Sequence, residues 1–186
     1  MPGGISRARL PKTITLVGLN ERIEEFKALP AKLRQKIAGI INEQAKETRA
    51  DLIQRITSDG FSEASVKARI KIGRASSKKD EATISLDTKR VPFSRIKFTT
   101  ATEDKTGTRA SVFVQRGGKR VQVYGFVNPY GKKQKPLIRY EKAGKKVLVQ
   151  SSGVGLKQWW DGIITEQYIT QIQKSLEIRI TQEIGL

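Results

Sequence analysis

Apolar positions return along this chain with two different periods. Between residues 31 and 56, Leu33, Ile37, Ile40, Ile41, Ala45, Thr48, Leu52 and Ile56 recur mostly at spacings of three or four, which places them on one face of an α-helix. Lys32, Lys36, Glu43, Lys46, Glu47 and Arg49 fall largely elsewhere on its surface. Pro30 stands where a missing N–H costs little, and Asp59-Gly60 ends the pattern. At the helical rise the predicted element is about 39 Å long. A second row, Ile164, Tyr168, Ile172, Leu176, Ile180 and Ile184, has an unbroken spacing of four. It predicts another long helix over about 163–184, widened by Ile163 and Ile169.

From residue 80 to 150 the period drops to two. Strands are expected near 82–86, 95–99, 110–115, 120–127, 137–140 and 147–150. Gly117-Gly118 fits a tight hairpin turn. Residues 103–108 and 128–136 read as loops, the second strongly basic. Ahead of the long helix, 13–17 reads as a short strand and 19–29 as a short helix with Asn20 at its N-cap. Ser62 is placed to cap a further short helix over 63–70. The pattern predicts an α+β fold: two long amphipathic helices packed with a twisted, mostly antiparallel β-rich middle. Residues 1–12 are expected to form a flexible basic arm. Residues 13–186 are expected to form a single α+β domain, with a helical part at 13–77, a basic β-rich part at 80–150 and the C-terminal helix within 156–186.

Charge changes this picture. The net charge is +18, and residues 116–146 hold ten Lys/Arg against one acid, Glu141, so half of it sits in that stretch. A charge this concentrated calls for a polyanion, an acidic protein surface or solvent opposite it. The candidate contact residues are Arg116, Lys119, Arg120, Lys132, Lys133, Lys135, Arg139, Lys145 and Lys146, with Lys142 among them in sequence. Tyr124, Phe126, Tyr130 and Tyr140 are interleaved, as on a stacking platform. Tyr124 and Phe126 share a strand face, which favours hairpin core for them. With 37% hydrophobic and 6% aromatic residues the core is lean, and lean, charged chains often complete their burial on a partner.

The chain has no cysteine and no histidine. Disulfides, thiolate metal sites, cysteine nucleophiles and the commonest general base and zinc ligand are thereby excluded. The nearest acid pairs, Glu24/Glu25 and Glu103/Asp104, sit in surface-like contexts. The glycine pairs lack the frame of a phosphate loop. No catalysis, metal or cofactor is expected. No apolar run approaches the ~20 residues of a membrane span, and the first residues lack the apolar core of a signal peptide, so a soluble protein of a reducing cytosol is expected. Trp159-Trp160 beside a Gly-rich junction suggests one indole pinning the C-terminal helix and one anchoring a neighbouring subunit. Ile169 and Ile178, off the main row, are the other candidates for intersubunit contact.

The order of elements also resembles a known family. Leu16-Val17-Gly18-Leu19 is followed by a small helix, Leu29-Pro30 and a long helix containing Asn42 and Thr48. Then come Phe61, Val66-Lys67-Ala68-Arg69-Ile70 and Arg74-Ala75-Ser76. Over residues 14–77 this is similar to the phage minor tail protein Z family, the tail completion proteins of long-tailed bacteriophages. The resemblance implies a virion structural protein at the head-proximal end of the tail, made in the host cytoplasm. It implies a homo-oligomeric ring, a hexamer by the tail's symmetry, that makes the head–tail junction competent to pass DNA. Its partners would be copies of itself, other tail and neck proteins and the genomic DNA in passage, with no membrane. A monomeric basic nucleic-acid-binding protein, ribosome-associated or nucleoid-like, is the competing expectation.

Overall fold

The computed structural model describes residues 13–18, 28–102, 110–127, 136–142, 144–151 and 153–184. The expected arm at 1–12 and most of the helix expected over 19–29 lie outside them, as do the loops at 103–108 and 128–135. The described chain is α+β. Its contacts form two compact units, and the long helix α1 (Ala31–Ser58) contributes residues to each.

The first unit comprises Met1–Arg49, Lys71–Leu86 and Trp160–Leu186. A three-stranded sheet is ordered β1-β3-β2, from β1 (Thr13–Val17), β2 (Ile70–Gly73) and β3 (Glu81–Leu86). β1 and β3 run antiparallel, with Ile14 opposite Ile84 and Leu16 opposite Ala82. All four are buried, because alternation puts every second residue on one face. Ile37 and Ile41 of α1 come against the end of β1. A Cβ at Gly18 would stand 2.5 Å from Ile41 Cδ1, so the end of that side chain would have to shift to admit one. Asn42 holds the loop after β2. Its Nδ2 donates to the Ala75 carbonyl at 3.1 Å, and its Oδ1 accepts from the Ala75 N–H at 2.9 Å.

The expected long C-terminal helix is not continuous. It is replaced by α3 (Lys157–Ile163) and the 19-residue α4 (Glu166–Ile184), so there is one long helix, not two, among four described helices. Thr165 supplies the break: its Oγ1 accepts from the Tyr168 N–H at 3.2 Å, a side-chain cap that starts a new helix. The row with period four begins at Ile164, inside the break, and its spacing does not reveal where the helix starts. Ile164, Ile172, Leu176 and Ile180 are buried. α4 is fixed to its unit by Gln173 Nε2 donating to the Val17 carbonyl at 2.7 Å and by an Arg179–Glu47 ion pair at 2.9 Å. Lys36 Nζ also donates to the Glu183 carbonyl.

The second unit comprises Ala50–Ile70 and Asp87–Trp159. Its five strands follow chain order as an antiparallel meander: β4 (Thr99–Thr102), β5 (Ala110–Arg116), β6 (Lys119–Val127), β7 (Leu137–Lys142) and β8 (Lys145–Gln150). The strand expected over 95–99 is instead a 3-10 turn at Phe93–Arg95 followed by β4. Phe93 and Ile96, three apart, are the buried pair, a spacing that suits a turn of helix and not a strand. The helix expected over 63–70 is only α2 (Glu63–Lys67). Ser62 occupies its N-cap without capping it, because its hydroxyl donates to Ser65 Oγ at 2.8 Å. After α2, Arg69 reaches the carbonyls of Lys89 and Arg90 with Nε and Nη2, at 3.1 and 3.2 Å. Phe61 and Trp159 meet edge to face with centroids 4.8 Å apart. The Trp159 indole N–H donates to the Gln115 carbonyl at 3.1 Å.

The Asn42 lock generates a stability prediction. Asn42→Ala strips both Ala75 backbone groups of their partner and should cost about 1–3 kcal/mol in urea unfolding. Asn42→Asp keeps the acceptor, loses the donor, and should fall between the wild type and Asn42→Ala.

Candidate electrostatic contact surface

The cations foreseen at residues 116–120 converge on one hairpin tip. Gly117 and Gly118 join β5 to β6 with φ of 56° and 76°, the left-handed conformation of a type I′ turn. Asp59 steadies this turn, its Oδ2 accepting from the Gly117 N–H at 2.8 Å. Arg116 stands directly across from Lys119. Arg116 Nη1 donates to Gln158 Oε1 at 3.2 Å. The Arg120 guanidinium lies 4.0 Å over the Phe113 ring, a diagonal neighbour on the same sheet face, which orients the cation without neutralising it. Arg116, Lys119 and Arg120 are all exposed.

The second hairpin repeats the arrangement. In β7–β8 the register places Lys142 opposite Lys145 at the tip, Glu141 opposite Lys146 and Arg139 opposite Leu148. Arg139, Lys145 and Lys146 are exposed. Like charges in opposed positions destabilise a hairpin. By register, both tips set two basic residues opposite each other.

A bulge interrupts the β5–β6 ladder. Ser111 pairs with Phe126 but Val112 pairs with Val123, so Tyr124-Gly125 is extra on β6. Gly125 has φ of 136°, and a Cβ there would lie 3.2 Å from the Leu137 carbonyl. Such a bulge bends its strand. Among the described residues β6 pairs with β7 at Phe126 and Leu137, and β7 pairs with β8 from Leu137 opposite Gln150 to Lys142 opposite Lys145.

The other predicted site residues scatter. Lys132, Lys133, Lys135 and Tyr130 lie outside the described residues, and so do the side chains of Tyr124 and Tyr140. Phe126 is half-buried. Trp159 and Trp160 are both buried within the chain, so neither indole offers surface to a neighbouring subunit. At 100° per residue Ile169 turns to the side of Leu176 and Ile180, and it is half-buried there. Ile178 turns to the opposite side and is 48% exposed.

Sequence reasoning missed Asp59, whose Asp-Gly context marked only a helix end, and Leu148, which is 52% exposed. It also missed a cavity of about 170 Å³ between Ser58–Gly60, Lys97–Thr99 and Phe113–Gln115. Phe98 and Phe113 give it apolar walls, and Asp59 Oδ2 is already engaged by Gly117. Among the described residues no group of three or more carboxylates could hold a metal ion, and no helix is long and apolar enough to cross a membrane. No family model, curated protein or solved structure matches the chain.

Lys119→Glu should move stability and binding in opposite directions. The substitution turns the like-charge pair with Arg116 into one of opposite charge and should raise unfolding stability by ~0.2–1 kcal/mol. Heparin affinity should fall, and the slope of log K against log salt should become shallower by roughly one to two.

Proposed function

We propose that this protein is a non-enzymatic structural protein of a long-tailed bacteriophage virion, a minor tail or tail completion subunit of the Z type. It forms a homo-oligomeric ring, most simply a hexamer, at the head-proximal end of the tail, and it helps head–tail joining and DNA passage. The observation that carries this reading is the pair of hairpins with opposed cations at their tips. An arrangement that weakens the free hairpin becomes favourable when phosphates or acidic subunits face it. The residues behind the family likeness support it too. Asn42, Val66, Arg69 and Ala75 hold loops and helices in place and assemble no catalytic group. Ile178, turned away from the core of α4, provides an apolar contact for a neighbouring copy. Partners are then further copies of the chain, other tail and neck proteins, and genomic DNA during passage. The protein acts in the neck of the virion and passes through the host cytoplasm during assembly.

Electron microscopy of the purified protein, with and without tails, tests this directly. Sixfold rings, or added density at the head-proximal end of tails, are expected. Ile178→Glu should leave a folded protein that sediments as a monomer and no longer joins the ring. A wild-type monomer that ignores tails and binds duplex DNA with a steep salt dependence would instead identify a nucleic-acid-binding protein.

A further inference from the structure

The strand β8 ends the five-stranded sheet, and its hydrogen bonds reveal which of its groups are open. The Ser151 N–H donates to the Pro136 carbonyl at 2.8 Å. Given the register, the bonded pairs are then 138 with 149, 140 with 147 and 142 with 145, because bonded and non-bonded pairs alternate in an antiparallel ladder. The intervening residues Lys146, Leu148 and Gln150 point their N–H and C=O away from β7. Among the described residues no other backbone group pairs with them. Over these positions the open edge is about 14 Å long.

An exposed edge is usually blunted by a proline, a bulge, a cover or charge. This one has no proline, and its bonded register to β7 is regular. Its outward-facing positions include Leu148, the most exposed large hydrophobic among the described residues, and Val147 and Val149 on the other face are half-buried. The charge beside it has one sign. Residues 137–150 hold four Lys/Arg and one Glu, and Lys145 and Lys146 lie on the edge strand itself. Cations alone would repel a second basic chain. Cations beside open backbone groups and an exposed leucine select a chain that is extended, acidic and apolar at alternate positions.

We propose that β8 is a strand-addition site, at which Lys146, Leu148 and Gln150 pair backbone to backbone with an extended acidic segment of a partner protein. The backbone bonds give the segment its register, Leu148 takes an apolar side chain on one face, and Lys145 meets its carboxylates on the other. This deepens the reading of the basic stretch as a contact surface, and rests on it, by naming the protein partner's chemistry.

The test uses the full-length protein, ¹⁵N-labelled, and a short capped peptide in which glutamate and valine alternate. Peptide should slow amide exchange at Lys146, Leu148 and Gln150 roughly tenfold or more, with little change at Val147 and Val149, whose amides already face β7. Methylating alternate backbone nitrogens of the peptide should weaken binding by roughly tenfold or more. Leu148→Pro removes one outward donor without touching a bond to β7 and should abolish binding. Should that variant fail to fold, the methylated peptide gives the same answer on the unaltered protein. Equal binding of the methylated and unmethylated peptides would overturn strand addition. So would protection of these amides that grows with protein concentration alone, which would mean that a second copy occupies the edge. If duplex DNA protects the edge and peptide does not, strand addition fails while the contact surface stands. If neither binds, the contact surface fails as well.

Discussion

Burial of one stripe of α1 is the interaction on which the rest of this structure depends. Ile37, Ile41, Ala45, Leu52 and Ile56 are all withdrawn from water. Each large aliphatic side chain among them contributes about 1.5–3 kcal/mol. The ion pairs of the same helix, Lys46 with Glu43 and Arg55 with Asp51, are substantially exposed, and such pairs contribute about 0–1 kcal/mol. The apolar stripe therefore decides the fold. Both compact units draw on α1, so a change that broke this helix would cost each of them part of its core.

The polar bonds that matter are few and specific. Asn42 satisfies both backbone groups of Ala75, Arg69 satisfies two carbonyls, and Asp59 satisfies the Gly117 N–H. Each spans a stretch of chain that has no ladder bond of its own there. Their value lies less in net energy than in the penalty of leaving those groups unpaired.

Against this framework the cations stand apart. A net charge of +18 opposes compaction through self-repulsion. The second unit reduces that cost by carrying many of its charges on two hairpins, at positions where water screens them.

The sequence by itself determined the local elements: the stripe of α1, the Gly117-Gly118 turn, the strands β5 to β8 and the concentration of charge. Each depends on rotation per residue or on turn chemistry, which neighbouring residues carry. The tertiary structure decided what depends on partners distant in the chain. It paired β3 with β1 in a separate sheet, made residues 93–96 a turn that buries Phe93 and Ile96, and buried both tryptophans. It left Leu148 exposed on the strand at the sheet's edge, a position the pattern over 147–150 does not record. The break at Thr165 was hidden for a related reason, since an apolar row reports which residues face the core and not whether the helix beneath it is continuous. Periodicity measures orientation around an element's own axis. Which other element covers that face, if any, is a long-range choice that no local period records.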